Sequence, residues 1–148
     1  MYSNILITTD GSELARKGIV EGLTLAKALG ATVTILTVTE PLKPSVVRAA
    51  REAGLTDPLA RYEHEVDADM RQRLQQFLEG HAELAGDVQL RHEVDDHPAE
   101  AIVRTAEIGG HDLIVMASHG HRGLRKMLLG SQTAEVLVST KIPVLVVR

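Results

Sequence analysis

The sequence predicts an α/β fold: a Rossmann-like, doubly wound sandwich with a five-stranded parallel sheet in the order 3-2-1-4-5 and helices on both faces. Three observations lead there. Short β-rich runs alternate with segments of helical period along the chain. Such alternation implies parallel strands joined by right-handed crossovers. The run DLIVMA, residues 112–117, is apolar almost without a break, as a strand covered on both faces should be. At 148 residues, 44% hydrophobic and 24% charged, the chain suits one domain spanning 1–148.

The elements follow in order. NILITT, residues 4–9, is the first strand and Asp10-Gly11 closes it. Residues 12–29 place Ala15, Ile19, Gly22, Ala26 and Leu29 on one helical face, and Gly30 stands where a C-cap glycine belongs. TVTILTV, residues 32–38, is the second strand. Pro41 and Pro44 end it, and residues 40–57 read as an irregular connection. Asp57 and Pro58 fit the N-cap and first turn of a helix with the stripe Leu59, Tyr62, Val66, Met70, Leu74 and Phe77. VQLRHEV alternates, which suits an edge strand with one wet face. Pro98 opens a helix to about Ile108, broken by Gly109-Gly110. After the strand at 112–117, a last helix is expected from about Gly130 to Thr140, then PVLVV, residues 143–147, as the closing strand.

Composition removes several function classes. The net charge of −4 and the presence of only Tyr2, Tyr62 and Phe77 as aromatics argue against a nucleic-acid face or a base-stacking platform. With no cysteine there is neither a disulfide framework nor a thiolate zinc site. No run approaches the roughly 18 apolar residues of a membrane span, and MYSNILITTD lacks a signal-peptide pattern. The expectation is a cytoplasmic protein with no membrane partner.

In a doubly wound sheet, ligands bind outside the carboxyl ends of the strands. That rim carries Thr9-Asp10-Gly11, Val38-Thr39-Glu40, Asp95-Asp96 and residues 117–131. The last segment, within MASHGHRGLRKMLLGSQ, holds glycines that let backbone approach a ligand, the cations Arg122, Arg125 and Lys126, and Gly130-Ser131 at a helix start. Read as chemistry it is a phosphate cradle; read as structure it is a loop in which Gly120 and Gly123 turn the chain and Ser131 caps a helix. Both readings stand on the residues alone.

The sequence resembles the universal stress protein family over essentially its whole length. The opening NILITTDGSELA, the ending KIPVLVVR and the stretch ASHGHRGLRKMLLGS carry the resemblance. In the nucleotide-binding branch the last motif is a glycine, two residues, a glycine, nine residues, then glycine with serine or threonine. Gly120 and Gly130-Ser131 match it; Ala117 stands at the first glycine. The resemblance implies ATP, with Mg²⁺ able to accompany it, laid across the strand ends. Thr8, Asp10, Val38, Met116 and Ala117 would surround the nucleoside. His119, Gly120, Arg122, Gly130, Ser131 and Gln132 would serve the phosphates. It further implies a homodimer joined through the last strand (Val144, Leu145, Val146, Val147), acting as a stress-response regulator with an unidentified protein partner.

Other readings carry less. Asp10 could be the N-cap of the first helix, paired with Glu13. Seven histidines invite a metal, with His119 and His121 flanking Gly120 and His92 and His97 at the end of the third strand, but no zinc pattern joins them. Asp95 and Asp96 read as a helix start and not as an acid pair. A phospho-accepting receiver domain would need a lysine at the fifth strand, and PVLVVR has none. No catalytic residue is expected, and ATP hydrolysis would at most be slow. The alternative function is a nucleotide-free dimeric interaction module, in which Ala117 closes the pocket.

Overall fold

The computed structural model describes residues 1–118 and 131–148. Its elements are β1 (Asn4–Thr8), α1 (Glu13–Leu29), β2 (Thr32–Thr39), α2 (Pro44–Glu52), α3 (Pro58–Glu79), β3 (Val88–Val94), α4 (Pro98–Ile108), β4 (Leu113–Ala117), α5 (Ser131–Ser139) and β5 (Val144–Val147). The sheet is parallel with the order β3-β2-β1-β4-β5, as the sequence predicts. Ile7 pairs with Ile35 on one side and Val115 on the other, so the three innermost strands lie in register.

Side-chain alternation divides the core into two layers. Ile5, Ile7, Val33, Ile35, Leu113 and Val115 face α1 and α3, where Ile19, Leu23 and Leu74 meet them. Leu6, Leu36, Ile114 and Met116 face α4 and α5, against Ala99, Ile102, Val103, Ala106 and Val136.

Local chemistry explains the helix ends. Ser12 Oγ accepts from the Ala15 amide at 3.1 Å and caps α1, which removes the alternative reading of Asp10 as the cap. Gly30 adopts φ 66°, a left-handed C-cap that any side chain would strain. Asp57 caps α3 with its own φ at 49°. Two expectations need correction. Residues 40–57 are not irregular throughout, because Pro44 starts α2: its fixed φ suits a first helical turn, where its missing N–H is no loss. Leu29 and Leu59, assigned to apolar faces, are exposed at the last turn of α1 and the first turn of α3.

At the amino end of the sheet Asp112 ties β1 to β4. Its Oδ2 accepts from the Ser3 amide (2.8 Å) and Ser3 Oγ (2.9 Å), and its Oδ1 from the Asn4 amide (3.0 Å). Burial opposes the charge, but these hydrogen bonds outweigh it and hold the carboxyl below its ordinary range. Asp112→Ala is expected to lower stability by about 1.5–3 kcal/mol, measured by urea unfolding. Asp112→Asn, which keeps the shape and loses the charge, should fall between the two.

Candidate nucleotide cleft at the strand ends

The β1–α1 turn is built from three consecutive side-chain-to-backbone bonds. Thr9 Oγ1 accepts from the Gly11 amide (3.1 Å), Asp10 Oδ1 from the Ser12 amide (2.9 Å) and Ser12 Oγ from the Ala15 amide. Gly11 has φ 81°, which fixes glycine at the bend. Thr9 also donates its amide to the Leu36 carbonyl at 3.0 Å, tying the turn to β2.

Beside this turn lies a cleft of about 260 Å³. β1 and its turn contribute Thr8, Thr9, Asp10 and Ser12, with Ala15 from α1; β2 contributes Leu36 and Val38. Pro98 and Ile102 of α4 form another wall. Met116, Ala117 and Ser118 come from β4, and Ser131, Gln132 and Thr133 from the start of α5. The cleft sits where chain direction switches between β1 and β4, the place a doubly wound sheet reserves for ligands. Its walls are apolar at Leu36, Val38, Ile102 and Met116 and polar at the two helix starts. Unpaired amide groups and the positive dipole end at such starts favour negative charge. A flat apolar ring with a hydroxylated, anionic tail matches that distribution.

The expected residues Thr8, Asp10, Val38, Met116, Ala117, Ser131 and Gln132 therefore converge on one cleft. His119, Gly120, Arg122 and Gly130 lie outside the described residues, as do Arg125 and Lys126. Ser12, Ala15, Leu36, Pro98, Ile102 and Thr133 also line the cleft and are not among the residues the sequence points to. Pro98 and Ile102 are four apart on one helix face, a spacing visible in the sequence, but only the crossover from β3 to β4 reveals which strand ends they cover.

Ala117 decides whether the site is open. Among the described residues Asp57 is the sole non-glycine with positive φ, so the Ala117 backbone is one that any L-residue adopts. By alternation its methyl shares the α1 face with Val115. An added methyl on Gly18 of α1 would lie 3.7 Å from it, an ordinary contact. The Ala117 carbonyl accepts from Thr133 Oγ1 at 3.2 Å, which joins β4 to α5 below the cleft.

At the next strand end, Asp95 accepts from the His97 amide (2.8 Å) and from Arg104 Nη2 (3.0 Å). The His97 amide, then Arg104, holds its carboxyl below the ordinary range. Asp96 accepts from His97 Nδ1 at 2.8 Å, which raises the imidazole pKa. These bonds precede α4, whose N-cap is His97 with no side chain bonding its first turn, so neither acid caps the helix.

The universal stress protein family model matches residues 1–148. The chain belongs to the universal stress protein family. Universal stress protein MJ0577 of Methanocaldococcus jannaschii is 31% identical over 155 residues, covering 100% of this chain and 96% of that protein. Two solved structures share the fold. A universal stress protein in complex with cAMP has a TM-score of 0.65 at 24% identity, covering 99% of this chain and 97% of that one. The universal stress protein of Archaeoglobus fulgidus in complex with dAMP has a TM-score of 0.67 at 17% identity, covering 99% and 98%. No helix among the described residues is long and apolar enough to cross a membrane.

Proposed function

We propose that this universal stress protein is a cytoplasmic regulator that binds an adenine nucleotide, ATP with Mg²⁺, in the strand-end cleft. The observation that carries the reading is the cleft of about 260 Å³ that brings Thr8, Asp10, Val38, Met116, Ser131 and Gln132 together with Ala117 in its lining. The cAMP and dAMP complexes of related folds support the ligand class. Leu36, Val38, Ile102 and Met116 would enclose the base, Asp10 the ribose side, and Ser131 and Gln132 the phosphates. Mg²⁺ would neutralise phosphate charge and needs few protein ligands.

The test is thermal unfolding of nucleotide-stripped protein with AMP, ATP, Mg-ATP and GTP. Ligand at about 100 times its dissociation constant adds roughly 2.7 kcal/mol, a rise of roughly 5–10 °C for a domain of this size. No shift at millimolar nucleotide would sink this reading and leave the nucleotide-free interaction module.

The same reading includes a homodimer through β5. This strand is an edge of the sheet, and Leu145 is 38% exposed on it, with Val138 of α5 at 86%. A bare apolar edge is stabilised by pairing with a second copy. Sedimentation should give a dimer that Leu145→Lys shifts towards monomer; a monomer for the unaltered chain would remove this part of the proposal.

A further inference from the structure

At the carboxyl end of β2, outside the residues that line the nucleotide cleft, residues from three elements form a chain of polar contacts that the proposed function does not use. Thr39 Oγ1, half-buried at the carboxyl end of β2, lies 2.7 Å from His92 Nε2 of β3. His92 Nδ1 lies 3.4 Å from Asp67 Oδ1 of α3, and the His92 side chain is only 4% exposed. Asp67 Oδ2 accepts from Arg71 Nε at 2.9 Å, and Arg71 Nη1 donates to the Leu90 carbonyl at 3.2 Å. Arg71 thus braces the carboxylate from one side while His92 meets it from the other.

The Arg71 hydrogen bond keeps the Asp67 carboxyl below its ordinary range, so it is ionised and can only accept. In the tautomer with its proton on Nδ1, facing Asp67, His92 presents the Nε2 lone pair to the Thr39 hydroxyl. A hydroxyl donating to an imidazole that a carboxylate orients is the arrangement of an activated nucleophile. Thr39 stands half-buried at the carboxyl end of β2.

We propose that Thr39 is a base-activated nucleophile that accepts an acyl group from a small activated ester, with His92 as general base and Asp67 as positioning residue. Thr39 Oγ attacks the ester carbonyl carbon and its proton passes to His92 Nε2. The bond from that carbon to the leaving alkoxide or phenoxide breaks, and His92 returns the proton to the leaving oxygen. The products are an O-acyl threonine and the free alcohol or phenol; no oxidant or reductant is involved. Thr39 is not among the residues that line the nucleotide cleft, and the step uses no nucleotide.

The experiment uses p-nitrophenyl acetate with the full-length protein. Nitrophenolate release is followed by absorbance, and the acetyl group is located by peptide mass spectrometry. Exposed Ser45 of α2 serves as the internal reference hydroxyl. Thr39 should acquire the acetyl group at least 100-fold faster than Ser45. Thr39→Ser should retain fast labelling, and Thr39→Ala should abolish the fast phase. His92→Gln should slow it at least 100-fold, and Asp67→Asn about tenfold with Asp67→Glu partly restoring it. Circular dichroism checks that each variant is folded; Thr39→Ser and Thr39→Ala decide the matter if the His92 variant is not. Labelling of Thr39 no faster than Ser45, or a rate indifferent to both Thr39→Ala and His92→Gln, would overturn the proposal.

Discussion

Leu36→Ala is expected to lower the free energy of unfolding by about 3 kcal/mol, within the 2–5 kcal/mol that such core truncations cost. Leu36 is fully buried, packs in the layer of Leu6, Ile102, Ile114 and Met116, and also floors the cleft. Truncation loses the transfer free energy of the missing atoms and leaves a void that the central strands, held by ladders on both sides, cannot close. The urea midpoint should fall with the slope unchanged. Leu36→Met, nearly equal in volume, should cost less than about 1.5 kcal/mol. The same void lies under the surface on which a base would rest, so AMP should bind roughly tenfold more weakly, equal to about 1.4 kcal/mol. A loss of less than about 1 kcal/mol would mean that the site collapses and that the cleft floor is not rigid.

The frame was legible because it depends on local pattern. Alternating periods, a continuous apolar β4 and the Gly30 cap each follow from residues within a few positions of one another. The topology then gives the cleft its place, since the switch between β1 and β4 follows from strand order. Less legible were choices among equivalent neighbours. Thr9, Asp10 and Ser12 all offer side-chain oxygens, and only the path of the turn decides that Ser12 caps α1 while Asp10 closes the bend before it. Pro41 and Pro44 suggested a loop, yet a proline at the first turn is as good a start for α2 as it is a stop for β2. Least legible was the pairing of Thr39 with His92, 53 residues away, and of both with Asp67. No periodicity encodes a contact that forms only when α3 lies across β2 and β3.

His111 gives the second large effect, and its sign is fixed by burial. The residue is 7% exposed two positions before β4, and neither ring nitrogen has a hydrogen-bond partner among the described residues. Burial, the leading cause, pushes its pKa below the ordinary 6.5; the backbone oxygens of Ala106 and Thr105 offset this only in part, and Arg91 adds to it. The unfolded chain therefore holds the proton more tightly than the folded one. Stability is fully present above the unfolded value near 6.5 and is lost as pH falls below it towards the folded value. His97 works in the opposite direction: the Asp96 hydrogen bond raises its pKa, so its contribution is present below 6.5 and lost as pH rises through the folded value. That pair is exposed and screened by solvent. Asp67, Asp95 and Asp112, all lowered from 3.8, lose their contributions at more acid pH, outside this window. His111→Leu should therefore stabilise the fold by about 1–3 kcal/mol at neutral pH by removing unsatisfied buried nitrogens, with a larger gain at lower pH. It should also flatten the decline in stability between about pH 7 and pH 5. His97→Gln measured in parallel should steepen that decline. If the decline persists unchanged in His111→Leu, the proton that destabilises the fold binds elsewhere, and the ring at 111 is hydrogen-bonded in solution.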